Sequence, residues 1–482
     1  MEKLIFEKSK AGRKGYTLPK NDVDVKLNDS IPEKYLRKTE LPLPEISENE
    51  AARHFVRLSQ LNYSIEQGFY PLGSCTMKYN PKVNEKTASL PGFLNLHPCS
   101  NDEHAQGAIR MMYELGEALK EISGLQGVSL QPAAGSHGEF TGIMLFRAYH
   151  RDRKDFARKN ILIPDSAHGT NPASASIAGF NIVAVKSNDH GRIDIEDLKT
   201  KCNSETAGFM ITNPNTLGLF EQDIVAIEQI VHQAGGLMYM DGANLNALLG
   251  IVRPGDMKFD CVHINLHKTF STPHGGGGPG AGPICVSEKL VPFLPVPQIV
   301  RDGDFYRLNM DCPKTIGKVH SFFGNFGVLV RAFTYIMMHG PEGIPEISRD
   351  AIINANYLFS KLKGHFEVPY DEFCLHEFVI SGDKQKENGV STKDVAKRLL
   401  DYGFHAPTIY FPLIVHEAML VEPTESESIE NLNSFADAMI AIANEAKETP
   451  EKVLSAPLNT PVSRVDDALA ARQLDISYFG KK

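Results

Sequence analysis

Lys268 and His267 follow an apolar run, Cys261–Leu266, and precede a glycine-rich stretch, 275–282. A lysine amine at the end of a buried strand can form a Schiff base with a carbonyl compound. The commoner alternative is a lysine whose ammonium faces solvent. The glycine stretch suits close approach of the backbone to a ligand, or a hinge. It lacks the Lys-Ser/Thr ending of a P-loop, which argues against nucleotide binding.

Asp241 ends a second apolar run, Leu237–Met240. A carboxylate at the mouth of a buried strand is costly unless it meets a cation or strong hydrogen-bond donors. A protonated pyridine nitrogen is one such partner. The alternative is that Asp241 caps a helix.

A third feature is the turn 131–139, where Gly135 opens a predicted helix and Ser136 and Glu139 have the spacing of a capping box. The bare amides of a helix N-terminus suit phosphate. A capped helix that binds nothing is the alternative. His168 stands in a loop between small residues, where it can stack on a flat ring or carry a proton, or simply bond to the main chain.

These features, with the polar residues Thr212, Asn213 and Asn215, occur in one order at successive strand ends. The last group is also typical of a proline-containing turn. Pyridoxal phosphate (PLP) requires such a set, because its phosphate needs amides, its ring a stacking face, its nitrogen a carboxylate and its aldehyde an amine. The sequence therefore predicts a PLP site.

Short apolar runs alternate with amphipathic segments such as 223–233, which predicts an α/β fold with a mostly parallel sheet of seven strands. Ligands of such sheets lie at the carboxyl ends of the strands. The predicted strands are Gly127–Leu130, Ile161–Pro164, Asn181–Val185, Phe209–Thr212, Leu237–Asp241, Cys261–Leu266 and Pro283–Val286.

Three regions are predicted: an N-terminal arm, 1–60, a large PLP-binding domain, 61–330, and a small C-terminal α/β domain, 331–482. The arm is interrupted by proline and has no core of its own, so it must lie across another domain or subunit. The last region has helical patterns at 325–338 and 429–447, with short apolar runs at 377–380 and 408–412.

The 482 residues carry a net charge of −9, which disfavours binding to nucleic acid or anionic membranes. No apolar stretch reaches the length of a membrane span, and the N-terminus lacks a signal-peptide core, so a cytoplasmic location is expected. Seven cysteines without C-x-x-C spacing indicate reduced thiols and predict neither disulfides nor a metal site.

Long, uncommon strings make the chain resemble the C-terminal half of the glycine decarboxylase P-protein of the glycine cleavage system, and in particular subunit 2 of its two-subunit form. The resemblance covers nearly the whole chain. The matching strings are PLGSCTMKYNP (71–81), SAHGTNPASA (166–175), DGANLNA (241–247), LHKTFSTPHGGGGPGAGP (266–283) and MLVEPTESE (419–427).

The resemblance implies a fold-type I PLP enzyme. Lys268 would be the lysine that bonds PLP, Asp241 the partner of the pyridine nitrogen, and His168 the residue stacked on the ring and a carrier of protons. Ala243 would pack on the other ring face, Gly135 and Ser136 would hold the phosphate, and His267 and Thr212 would make further contacts.

The same resemblance implies decarboxylation of glycine and transfer of the aminomethyl group to the lipoyl arm of the H-protein. The partners would be a homologous subunit 1 without a PLP lysine, in two copies of each subunit, and the lipoylated H-protein. An arginine is expected to bind the glycine carboxylate, and Arg464 and Arg301 are the candidates. Cys75 is a redox-sensitive thiol or an inert buried one. A different fold-type I enzyme and a non-catalytic scaffold are the competing hypotheses.

Overall fold

The structure is a computed structural model that describes residues 2–20, 22–24, 30–97, 100–275 and 278–479. Positions 276–277 of the predicted glycine stretch lie outside the described residues. The chain divides into two compact units, one formed by 1–64 with 457–482 and the other by 65–456. The predicted boundaries at 60 and 330 differ from this division, chiefly at the C-terminus.

The unit 65–456 contains a seven-stranded sheet in the order β1-β7-β6-β5-β4-β2-β3. The four pairings among β2 to β6 are parallel, and β7 is antiparallel to both neighbours. The predicted mostly parallel α/β sheet is confirmed. Its strands are β1 Gly127–Ser129, β2 Asn160–Pro164, β3 Asn181–Val185, β4 Thr206–Thr212, β5 Leu237–Gly242, β6 Cys261–Ile264 and β7 Ile284–Val286.

Side chains along the central strands alternate between two apolar cores, one for each face of the sheet. In β5, Met238 and Met240 join one core, whereas Leu237 and Tyr239 join the other. This is the period of two that a strand imposes, and it explains why a strand covered on both faces is apolar throughout.

Helices connect the strands and surround them. Asp223 precedes the helix Ile224–Gln233, as the amphipathic pattern predicts. The helices of the unit 65–456 are Lys82–Ala88, Pro91–Leu94, Gln106–Ser123, Gly135–Asp152, Thr170–Ile177, Ile195–Lys201, Ile224–Gln233, Leu266–Thr269, Phe326–Leu362, Asp383–Lys386, Thr392–Asp401, Ile429–Glu448 and Pro450–Leu454.

A small three-stranded antiparallel sheet, in the order β10-β12-β11, has an apolar core of its own. We call this core the second core, to distinguish it from the two cores that flank the large sheet. The strands of the small sheet are β10 Phe378–Ser381, β11 Thr408–Ile409 and β12 Ala418–Val421. The apolar runs at 377–380 and 408–412 predict the first two of these strands, whereas β12 was not predicted. Nor was the hairpin of β8 Gln298–Asp302 and β9 Phe305–Asn309.

The helix Phe326–Leu362 runs from a core of the large sheet to the second core, so no separate linker joins them. Leu329 and Ile336 pack in the core of the large sheet, and Leu358 packs in the second core. The helix bends at Gly340, which has a φ of 60° and precedes Pro341. The pattern predicted only its first half because the proline pair interrupts the helical period.

The other unit is not purely an extended arm, since it contains the helix Glu48–Ser59, capped by Ser47. Its C-terminal segment carries the helix Asp467–Arg472. The ring of Phe6 stacks on that of Tyr478 with centroids 4.7 Å apart. These aromatic contacts place the last residues with the N-terminus and not with the predicted small domain. No described helix combines the length and apolar character needed to span a bilayer.

A substitution at Gly242 tests whether the close pairing of β5 and β6 contributes to stability. A Cβ there would lie 1.9 Å from the carbonyl oxygen of His263, so the strands must separate to admit it. We expect Gly242→Ala to lower the free energy of unfolding by about 3 kcal/mol or more, measured by denaturant titration. Gly107→Ala, which meets nothing within 4 Å, is the matched control and should not destabilise; equal losses would contradict the prediction.

Candidate active site

A cavity of about 290 Å³ opens at the carboxyl edge of the large sheet. The ends of β4, β5 and β6 and the N-terminus of the helix Gly135–Asp152 meet there. All the residues to which the resemblance gave a cofactor contact line this one cavity, whereas Asn213 and Asn215 do not. Those with a cofactor contact are Gly135, Ser136, His168, Thr212, Asp241, Ala243, His267 and Lys268.

Lys268 lies in the short helix Leu266–Thr269, because β6 ends at Ile264 and not at Leu266 as predicted. This turn brings Lys268 into the cavity lining, where Nζ donates a hydrogen bond of 2.8 Å to the carbonyl oxygen of Ser74. Burial, and then the charge of Lys268, lower the pKa of His267 to about 3. The imidazole of His267 is therefore neutral at physiological pH.

Asp241 is almost fully buried at the end of β5. Its Oδ2 accepts a hydrogen bond of 2.8 Å from Asn171 Nδ2, its Oδ1 accepts one of 2.9 Å from the Ala243 amide, and Nε2 of His263 lies 3.3 Å from Oδ1. Burial by itself raises the pKa of this carboxyl group, but the charge of His263 and the donated bonds outweigh it, so the pKa lies below its ordinary value. The next helical turn is capped by Asn244, so Asp241 is not a helix cap.

The helix that begins at Gly135 is preceded by Ala134, whose extended backbone makes it the N-cap residue. The predicted capping box is therefore wrong, because Ser136 already lies inside the helix. Glu139 instead accepts hydrogen bonds of 2.8 Å from Thr170 Oγ1 and 2.9 Å from Ser174 Oγ. With no side chain bonded across them at the N-cap, the first amides suit an anion.

His168 is exposed at the rim of the cavity. Its Nδ1 is 2.9 Å from Thr170 Oγ1, and the Thr170 amide donates to the same nitrogen at 3.3 Å. Thr170 is itself bonded to Glu139, and the ring of Phe411 meets that of His168 at 69° with centroids 5.7 Å apart, so these contacts fix the position of the His168 ring. The main-chain bond expected in the alternative interpretation is thus present, but it is compatible with stacking.

Several buried polar atoms in the cavity have no hydrogen-bond partner among the described residues. They are Thr212 Oγ1, Asn265 Oδ1, His267 Nδ1 and His274 Nδ1. Unsatisfied buried polar atoms are costly, so they indicate a polar ligand. Gly135 allows close approach, since a Cβ there would lie 2.3 Å from Asn265 Nδ2. Amides, an amine, a buried carboxylate and an open ring face are the groups that PLP requires.

Sequence reasoning did not assign Ser74, Glu139, Asn265, His263 or His274 to the lining. Ser74 belongs to the string 71–81, whose rarity was the available signal. Cys75 also lines the cavity, and burial raises the pKa of its thiol. Arg301 lies on the β8–β9 hairpin, bonded to the carbonyl of Gly303, and is not part of the lining. Arg464 belongs to the other unit.

Comparison with known proteins places the chain in a family. Residues 11–301 match the family described as "Glycine cleavage system P-protein", and residues 347–461 match "Glycine dehydrogenase, C-terminal domain". The chain belongs to the glycine cleavage system P-protein family. It is an enzyme of the glycine dehydrogenase (decarboxylating) class.

Curated relatives of this family align along the chain from end to end. A protein of Chloroherpeton thalassium named "Probable glycine dehydrogenase (decarboxylating) subunit 2" is 60% identical over 100% of this chain and 98% of its own length. A protein of Staphylococcus epidermidis with the same name is 56% identical over 98% of this chain and 94% of its own. The identity of these relatives disfavours both competing hypotheses.

Solved structures confirm the fold. A P-protein glycine decarboxylase in inhibitor-bound form superposes with a TM-score of 0.73 at 20% identity, over 86% of this chain and 94% of that one. A Lactobacillus brevis glutamate decarboxylase superposes with a TM-score of 0.65 at 14% identity, over 86% and 96% of the two chains. The chain therefore has the fold of the fold-type I PLP enzymes, as the resemblance implied.

A substitution at Asn171 tests how much its hydrogen bond to the Asp241 carboxylate contributes to stability. Asn171→Leu removes one donor to a buried charge, so we expect the free energy of unfolding to fall by about 1–3 kcal/mol. Denaturant titration at pH 7 measures the loss. Asn181→Leu, at an exposed position of β3, is the control with an expected change within about 0.5 kcal/mol. Unchanged stability of Asn171→Leu would show that the contact contributes nothing.

Proposed function

We propose that this cavity is where the enzyme decarboxylates glycine, with PLP bonded to Lys268. The observation that carries the proposal is that the Lys268 amine, the Asp241 carboxylate and the N-terminus of the helix Gly135–Asp152 line one cavity at the carboxyl edge of the sheet. Parallel sheets place ligands at this edge. The unpartnered polar atoms in the lining support a polar ligand.

Each part of the cofactor has a matching group. The amides of Gly135 and Ser136 would hold the phosphate, with the Thr212 hydroxyl and the His267 ring making further contacts. His168 would cover one face of the ring and Ala243 the other. All of these residues line the cavity. The low pKa of His267 keeps it a neutral hydrogen-bonding group that adds no positive charge to the site.

When bound, PLP supplies an electron sink for the charge left by loss of carbon dioxide. The residues of the chain control protons and orientation around it. Asp241, kept ionised by His263 and Asn171, would hold a proton on the ring nitrogen. The Lys268 amine and the His168 ring, fixed by Thr170, are the groups placed to move protons at the substrate.

The remaining partners follow from the family. The aminomethyl group would pass to the lipoyl arm of the H-protein, which enters from outside past loops that include 71–81 and 278–282. The word "subunit 2" in the names of the relatives implies a subunit 1, and we propose two copies of each subunit, in the cytoplasm. An arginine would bind the glycine carboxylate; Arg301 is outside the cavity lining in this chain.

Lys268→Ala tests the proposal most directly. Co-expressed with a subunit 1, the variant should lack the visible absorbance of a PLP–lysine bond and should lose at least about a thousandfold in glycine–bicarbonate exchange. The absorbance and the exchange rate are each measured with and without lipoylated H-protein. We expect the exchange to require the H-protein. Lys258→Ala, a lysine remote from the lining, is the control. A variant of Lys268 that keeps the absorbance band would refute the assignment.

His267 gives a prediction about pH. A group whose pKa is lowered to about 3 takes up a proton only near that pH, so it is neutral throughout the range from about 5 to 8. We therefore expect His267→Asn to lower exchange by about tenfold through lost cofactor contacts while leaving the shape of the pH–rate profile between pH 5 and 8 unchanged. Loss of an acidic limb in the variant would show that His267 titrates there.

A further inference from the structure

The string 71–81 contacts the string 419–427 along most of its length. The amide of Gly73 donates to the carbonyl of Leu420 at 3.2 Å, and the amide of Glu422 donates to the carbonyl of Pro71 at 3.3 Å. Further along, Lys78 Nζ pairs with Glu425 Oε1 at 2.6 Å, and both side chains are largely buried. The two strings therefore form one structure around the C-terminal end of β12.

Two residues of this structure have a strained backbone. Ser74 has a φ of 64° and Thr76 a φ of 45°, in the left-handed region that residues other than glycine seldom adopt. Such conformations cost about 1–3 kcal/mol each and persist only where surrounding contacts hold them. The contacts that hold these two are therefore informative about function.

Two buried carboxylates supply those contacts. Glu377 Oε2 accepts a hydrogen bond of 2.7 Å from the Ser74 amide, and Glu422 Oε2 accepts one of 2.9 Å from the Thr76 amide. Neither glutamate is exposed to solvent. A carboxyl oxygen can accept such a bond from a backbone amide whether the group is ionised or neutral.

The pairing of the second sheet brings the two glutamates together. Glu377 immediately precedes β10 and Glu422 immediately follows β12, and the register pairs Phe378 with Val421. Burial raises the pKa of both carboxyl groups, and for Glu377 the neighbouring Glu422 adds to this effect. Keeping two acids side by side in a dry core is costly, so a purely structural contact would be met more cheaply by neutral groups.

What the strained segment presents to the cavity is the Ser74 carbonyl, which accepts the hydrogen bond from Lys268 Nζ. The chain of contacts thus runs from each glutamate, through a backbone amide, to the amine. Ser74 and Thr76 flank Cys75. The bonds from Glu377 to the Ser74 amide and from Glu422 to the Thr76 amide therefore fix the backbone on both sides of the Ser74 carbonyl. A hydrogen bond to the carbonyl orients the nitrogen, including the direction of its lone pair when the amine is neutral.

We propose that Glu377 and Glu422 are positioning residues that hold the segment 74–76 so that the Ser74 carbonyl aims the Lys268 amine at the PLP aldehyde. The role depends on the reach of each carboxylate to a backbone amide and not on negative charge at the site. It deepens the proposed function and rests on it. Two residues next to strands of the small sheet would thus influence the reactivity of Lys268 at the edge of the large sheet.

Paired substitutions at Glu422 separate reach from charge. Glu422→Asp keeps the charge but shortens the side chain by one methylene, so the bond to Thr76 is lost. Glu422→Gln keeps an oxygen for Thr76, and its amide nitrogen can donate to His376 Nε2, which lies 3.9 Å from Oε1 and has no hydrogen-bond partner among the described residues. Glu221→Asp is the matched control, since Glu221 is also buried and accepts a bond of 2.9 Å from the Ile193 amide but is not part of the cavity lining.

The measurement is the rate at which the PLP–lysine absorbance band appears when PLP is mixed with the full chain, stripped of cofactor and co-purified with its subunit 1. Thermal unfolding of the same samples checks that each variant is folded. We expect Glu422→Asp to be slowed about tenfold, the equivalent of one lost hydrogen bond, with Glu422→Gln and Glu221→Asp within about threefold of the wild type.

A wild-type rate in folded Glu422→Asp would overturn the positioning role, and so would a Glu422→Gln variant as slow as Glu422→Asp, which would assign the effect to charge. If Glu422→Asp does not fold, the Glu422→Gln result alone decides between reach and charge. These failures are distinct from failure of the proposed function, in which the wild type itself would form no band that Lys268→Ala lacks.

Discussion

The buried carboxylate of Asp241 is the constraint around which the site is organised. A buried charge at the end of a strand requires hydrogen-bond donors or a cation around it. Three different elements supply these partners: the helix after β2 supplies Asn171, the turn after β5 supplies the Ala243 amide, and β6 supplies His263. Satisfying this one group fixes the relative positions of the strand ends, and those ends carry the other groups of the cavity.

Rigidity in the site comes from bonds between neighbours of the residues that would touch a ligand. Glu139 holds Thr170, which holds His168, and Tyr239 Oη lies 2.8 Å from His263 Nδ1, the nitrogen opposite the one that faces Asp241. Groups that are fixed in advance lose less freedom when a ligand binds. The outer contacts are therefore as much a part of the site as its lining.

The second core extends this arrangement to the amine. Its small sheet is built from residues far along the chain from Lys268, yet Glu377 and Glu422 bond the segment whose carbonyl meets Nζ. The helix Phe326–Leu362, bent at Gly340, packs into both cores, so the small sheet is held in place relative to the large one. This packing explains why 65–456 forms a single compact unit.

The sequence by itself determined the α/β class, all seven strands of the large sheet and eight of the residues that line the cavity, because apolar runs and the polar residues after them are local signals. It misplaced what depends on contacts distant in sequence. The capping box failed because the helix begins at Gly135, so Ser136 lies inside it and Glu139 bonds Thr170 and Ser174 instead. The end of β6 moved because a short helix turns Lys268 inward, and the C-terminal segment grouped with the N-terminus through contacts such as Phe6 with Tyr478. Only the tertiary structure decided these points, since the energy of each contact belongs to a pair of residues and not to either one alone.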